Sequence, residues 1–195
     1  MRSDVTGIRA FSRTHFAVVT AVIAIMLTAA VSLPAAEQRV RGEYEVKAAL
    51  LYNFLKFVEW PPSKAAGAEI RVCVVGDLSR ARSVAELDNQ RVAGRRLAVE
   101  RADLQDVRGC DVLFLLRGEE QLLPKILEAV RGGSTLTIGE ADGLGRRGVI
   151  INFLIVRNRV RFEINAAAAR DAGIMISSKL MKLAGPGNGS TAGGD

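Results

Sequence analysis

The chain has 195 residues, 27 Lys+Arg against 21 Asp+Glu, two cysteines and a single histidine. That length suits one domain of ordinary size, and a composition 49% hydrophobic and 25% charged excludes both a disordered chain and a coiled coil. The only histidine, His15, lies in a segment that reads as a leader, so Ser-His-Asp and Cys-His mechanisms and histidine-ligated zinc or haem sites are excluded for the mature chain.

Arg2, Arg9 and Arg13 precede an uncharged apolar run from Phe16 to Val31, and small residues follow through Ala36. This is the order of a cleaved secretory signal peptide over residues 1–36. Its removal leaves 24 basic and 20 acidic residues, so the basic balance is weak. No dense Lys/Arg block is interleaved with aromatics, which argues against nucleic acid.

Residues 43–59 carry helical spacing, with Val46, Leu50, Asn53 or Phe54, and Phe57 on the apolar face. Trp60-Pro61-Pro62 ends that helix, because proline disfavours helical geometry in the residue before it. A polar linker over 63–69 leads to a strand at 70–75, a turn at Gly76-Asp77 and a helix over about 79–87 capped by Ser79. Gly94 breaks the chain before a strand at 97–101. The apolar strand 112–116 follows, then a helix over about 119–131 with Pro124 in its first turn. A strand at 135–138 precedes a hairpin of 149–156 and 159–164, turning at Arg157-Asn158 because asparagine tolerates positive φ. A short helix over Ala166–Asp171, a break at Gly173 and a terminal amphipathic segment through Leu183 complete the domain. The tail from Gly185 onward is too rich in glycine to bury a core and reads as disordered. The pattern is α/β: a single domain with a mixed, mostly parallel sheet flanked by helices, ending in a β-hairpin and a C-terminal helix.

Cys73 and Cys110 sit in or beside two apolar strands. In an exported chain such a pair favours one disulfide over a metal site, with a redox switch as the alternative. Gly76-Asp77 lacks the glycines of a phosphate loop. Gly143-Leu144-Gly145-Arg146-Arg147-Gly148 has the Gly-x-Gly-x-x-Gly spacing but leads into a strand, so it lacks the helix N-terminus that binds phosphate and reads as a flexible loop. Ser178 and Lys182 share a helix face, yet nothing supplies the oxyanion hole a Ser-Lys dyad needs. No catalytic residue, metal or cofactor is assigned. Asn53, Asn152 and Asn165 interrupt apolar elements and either cap or line a pocket.

Several segments together resemble the YfiR-like family of periplasmic proteins. They are Tyr52-Asn53-Phe54-Leu55-Lys56-Phe57-Val58-Glu59-Trp60-Pro61, Ile70–Asp77, Cys110–Phe114, Ile150–Phe153, Val160–Asn165 and Ala172–Leu180, spanning residues 43–184 in matching order. The resemblance implies a periplasmic, non-catalytic α/β domain. Its best understood relatives bind the periplasmic sensing domain of an inner-membrane diguanylate cyclase and hold it inactive, which controls cyclic di-GMP and biofilm formation. It also implies that Cys73 and Cys110 are the family's disulfide. Some relatives carry a second cysteine pair around the start of the hairpin, and this chain has none there. The expected partner surface is the 151–165 hairpin with the terminal helix, through Phe153, Phe162, Glu163 and Met175. The expected ligand pocket is Asn53, Trp60, Ser177 and Lys179. The alternative is a periplasmic small-molecule binding domain serving another membrane partner; a homodimer is compatible with either.

Overall fold

The computed structural model describes residues 35–185, so the leader, apart from its last two residues, and the tail beyond Gly185 lie outside the described residues. The long helix α1, Ala35–Phe54, is followed by a two-residue strand β1, Val58–Glu59, and a single turn α2, Pro62–Ala65. Strand β2, Glu69–Val75, then leads through α3, Arg82–Ala85, to a hairpin of β3, Arg91–Val92, and β4, Arg95–Arg101. Next come β5, Val112–Leu115, α4, Leu123–Ala129, and β6, Leu136–Gly139. The chain ends with the hairpin of β7, Ile151–Val156, and β8, Arg159–Ile164, then α5, Ala166–Asp171, β9, Met175–Ile176, and α6, Ser178–Leu183.

Seven strands form one sheet in the order β3-β4-β2-β5-β6-β7-β8. The five central strands are parallel, and antiparallel β3 and β8 close the two edges. The parallel strands therefore follow the doubly wound order in which the second strand in sequence lies outside the first, and the remaining three follow on the other side. A separate two-strand ladder pairs β1 with β9, Val58 opposite Ile176.

Alternation along the strands feeds two cores. Ile70, Val72 and Val74 of β2, Val112 and Phe114 of β5, and Phe153 and Phe162 of the last hairpin pack with α1. Val75, Leu113 and Leu115 point the other way, onto Leu123 and Ile126 of α4. A strand buried on both faces needs an unbroken apolar run, which is why β5 reads Val-Leu-Phe-Leu.

The first helix differs from the sequence expectation in extent and phase. It ends at Phe54, before the Trp60-Pro61-Pro62 stop, and β1 intervenes. Its buried stripe is Tyr44, Lys47, Ala48, Leu51 and Phe54, continued by Leu55 just past its end, while Val46 and Asn53 face solvent. A lysine in the middle of the true stripe breaks the apolar periodicity and shifts the apparent face by about one residue. Ser79 is not a helix cap: its backbone N–H and hydroxyl both donate to Asp77 Oδ1, at 3.0 and 2.7 Å, which closes the turn after β2. Those two bonds hold the Asp77 carboxyl below its ordinary range. The break at Gly94 is a hairpin turn, with Ala93 and Gly94 both at positive φ joining β3 to β4. The final hairpin turns where expected, with Arg157 and Asn158 both at positive φ.

The glycine-rich segment 143–148 is a pinned 3-10 turn rather than a flexible loop. Leu144 and Gly145 are buried, and Asn165 Nδ2 donates to the Gly145 carbonyl at 2.8 Å. Gly143 and Gly148 adopt positive φ. Gly145 is required for space, because a Cβ there would lie 2.6 Å from Glu163 Oε1.

Candidate partner-binding face

The last hairpin is anchored from beneath by aromatic packing. The Phe54 ring lies 4.7 Å from that of Phe162 and 5.7 Å from that of Phe153, and Phe114 meets Phe153 edge-on at 6.0 Å. Phe153 and Phe162 are thus core residues joining the hairpin to α1, and neither is exposed for direct contact with a partner. Their phase along the strands explains this: Phe153 faces Phe162 across the ladder, and both point toward α1.

Glu163 lies on the opposite face of the hairpin and is half-buried. Its Oε1 accepts from Asn152 Nδ2 at 3.0 Å, and the same amide nitrogen donates to the Ala141 carbonyl at 2.9 Å. Asn165 caps α5 by accepting from the Ala168 N–H at 3.0 Å. Of the three asparagines, one caps, one is a buried tie, and Asn53 faces solvent, accepting from Lys56 Nζ at 3.2 Å. The Asn152 side-chain oxygen Oδ1 is buried with no partner among the described residues.

Met175, on β9, is 64% exposed. Beside it in sequence, α6 shows Leu183 at 70% and a partly exposed Met181, with Lys179 and Lys182 exposed between them. Only Leu180 of that helix is buried. This apolar and basic strip is what remains of the expected partner surface at the molecular boundary.

The four residues of the expected ligand pocket take separate roles. Trp60 is buried in the α1 core, and its indole N–H has no partner among the described residues. The Arg95 guanidinium lies over its ring at 5.8 Å. Ser177 caps α6 by accepting from the Lys179 N–H at 3.2 Å, and its own N–H donates to the Phe57 carbonyl at 2.9 Å. The β1–β9 ladder thus brings the two ends of the set together in the backbone. Asn53 and Lys179 themselves face solvent. Ser178 and Lys182 both lie on α6 and are exposed.

A charged cluster escaped the sequence reading. Glu140 follows β6 and is sealed from solvent, as is Lys47 of α1. Glu140 Oε2 accepts from Lys47 Nζ at 2.5 Å, and Oε1 accepts from the Tyr44 hydroxyl at 2.6 Å and the Arg117 N–H at 2.7 Å. Lys47 also bonds Glu43 one turn back. Burial, followed by the neighbouring Glu140 charge, pushes the Tyr44 phenol well above its ordinary value. The cluster sits at the carboxyl ends of the parallel strands, where doubly wound folds commonly hold ligands, and here α1 fills that place.

Cys73 and Cys110 form a disulfide with Cα atoms 5.9 Å apart, and both residues are fully buried against Ala102. Among the described residues, no group of His, Cys, Asp and Glu is placed to hold a metal, and no helix is long and apolar enough to cross a membrane.

These features define a doubly wound α/β domain stapled by one buried disulfide. The YfiR/HmsC-like family pattern matches residues 44–185, and the chain belongs to that family, which is known for periplasmic regulation of diguanylate cyclases. It is a regulatory family rather than a catalytic one. No curated protein matches the chain. Among solved structures, the chain is similar to a conserved domain protein from Vibrio cholerae O1 biovar eltor str. N16961, with 16% identity and a TM-score of 0.47. That match covers 72% of this chain and 58% of the other, so the chain spans little more than half of that protein's length.

Proposed function

We propose that this protein is a repressor that binds the periplasmic sensing domain of an inner-membrane diguanylate cyclase and holds the enzyme inactive. The observation that carries the reading is the family match over residues 44–185, which includes nearly the whole described domain. Repression of this kind is a binding equilibrium: the domain silences the cyclase by preferring its inactive state, and an envelope signal acts by weakening that preference. The contact surface in this reading is the corner formed by β9 and α6. Met175 and Leu183 supply exposed apolar area there, and Lys179 and Lys182 supply a basic rim. Phe153 and Phe162 act from behind, fixing the hairpin on α1, and Glu163 holds the hairpin's other face. Loss of the gene raises cyclic di-GMP and surface attachment, and Met175→Glu reproduces that rise while leaving the protein folded. Unchanged cyclic di-GMP in the deletion strain would overturn the reading.

A further inference from the structure

A second surface shares no residue with the β9–α6 corner. A groove of about 430 Å³ runs between the first turns of α1 and the tip of the last hairpin. One wall is a helical stripe of Arg39, Gly42, Glu43 and Val46, spaced three and four apart. The other is Ile155, Asn158, Arg159 and Val160. Ile155 and Val160 face each other across the ladder and continue the same sheet face as Phe153 and Phe162, beyond the point where α1 covers it. Val46 is 46% exposed and Ile155 41%, so the groove has an uncovered aliphatic floor.

Two features indicate what covers it. The first is charge. Arg39 and Arg159 at the rims have no ion pair or side-chain hydrogen bond among the described residues, whereas the one acid in the groove, Glu43, is bonded to Lys47. The second is Gly42. Glycine in a helix interior costs about 1 kcal/mol relative to alanine. A Cβ at Gly42 would meet nothing within 4 Å, so packing within the fold does not require glycine there. The missing side chain leaves room for another backbone to approach closely at this point of the groove.

We propose that this groove docks an acidic amphipathic helix of a partner protein, packed against Gly42, with aliphatic side chains on Val46, Ile155 and Val160 and carboxylates on Arg39 and Arg159. A helix in a groove buries its apolar stripe while its charged edges meet the rims. An added strand fits less well, because the free edge of β8 is interrupted where the Gly185 N–H donates to the Phe162 carbonyl at 2.9 Å. A flat bilayer does not fill a concave floor. The proposal does not depend on whether the partner is a cyclase.

The test is fluorescence anisotropy with a fluorescein-labelled amphipathic peptide that carries leucine on one face and glutamate on the other. A peptide with lysine in place of each glutamate serves as control. The acidic peptide binds saturably and the basic one does not. Arg159→Glu weakens binding about fivefold, as expected for a rim charge. Gly42→Leu fills the floor and weakens binding at least tenfold, while its thermal midpoint stays equal or rises because helix propensity improves. Equal binding of both peptides, no binding of the acidic one, or full binding by the stable Gly42→Leu protein each overturns the proposal. So does sedimentation of the protein with phosphatidylglycerol vesicles that is abolished by Arg159→Glu while the acidic peptide fails to bind.

Discussion

Lys47 and Glu140, 93 residues apart in sequence, meet at 2.5 Å in a site closed to solvent. Their attraction roughly offsets the cost of burying two charges, but removing one partner leaves the other buried without its counter-ion. Lys47→Met is therefore expected to destabilise the domain by about 3 kcal/mol. Glu140→Gln strands the ammonium in turn, with Glu43 as its remaining carboxylate. The double variant is less destabilised than the sum of the two, by at least about 1 kcal/mol, because neither residue then lacks a charged partner. Urea unfolding of all four proteins measures the coupling, and additive losses would show that the pair is not a unit.

The same cluster sets an alkaline limit. The Tyr44 phenol is held above its ordinary value by burial, by the Glu140 charge and by the hydrogen bond to Glu140, with Glu43 adding slightly and Arg80 opposing. In the unfolded chain the phenol ionises near pH 10. Above that pH the folded protein retains a proton that the unfolded chain releases, so stability present below about pH 10 is lost as pH rises. Tyr44→Phe costs about 1 kcal/mol at neutral pH for the lost bond and removes this part of the alkaline slope. Denaturation at pH 8 and pH 11 compares the two proteins, and identical slopes would contradict the assignment.

Gly145 and Glu163 test whether the hairpin's acidic residue supports the fold. A Cβ at position 145 would sit 2.6 Å from Glu163 Oε1. Gly145→Ala thus forces the carboxylate aside and breaks its bond with Asn152, for a loss of about 1–2 kcal/mol. In a Glu163→Ala background the obstruction is gone, and the glycine substitution then costs little. Melting curves of the two single variants and the double variant decide it, an equal cost in both backgrounds being the contrary result.

Local signals made some of this structure readable in advance. The run Val112–Leu115 announces a strand buried on both faces, Arg157-Asn158 announces a tight turn, and the helix over Ala166–Asp171 begins and ends as expected. The phase of α1 was not readable, because Lys47 occupies a core position where it meets the buried Glu140, 93 residues away in sequence. Gly145 was visible as part of a glycine motif, but its reason, the Glu163 carboxylate against its Cα, depends on a long-range contact. Phe153 and Phe162 could be assigned to one strand face from sequence. Whether that face met a partner or α1 was settled by the position of a helix about 100 residues earlier in the chain. Candidate contact residues on strands are vulnerable to this error wherever the covering element is distant in sequence.

The Cys73–Cys110 disulfide closes a loop whose ends lie 37 residues apart, and both residues are fully buried. In the chain-entropy account a loop of that length is worth about 4 kcal/mol to the folded state. Cys73 lies mid-strand between β4 and β5, opposite Glu100 and Leu113, so a reductant reaches the bridge only when those strands separate. Access to a buried bond is then governed by local opening rather than by thiol chemistry at a surface. The native protein is therefore expected to resist mild dithiothreitol, with no free thiol detected by mass after alkylation. In urea near the unfolding midpoint both thiols become labelled together. Replacing both cysteines by alanine lowers stability by about 4 kcal/mol. Rapid labelling of both thiols under native reducing conditions, without loss of the folded signal, would instead identify the bridge as a redox switch.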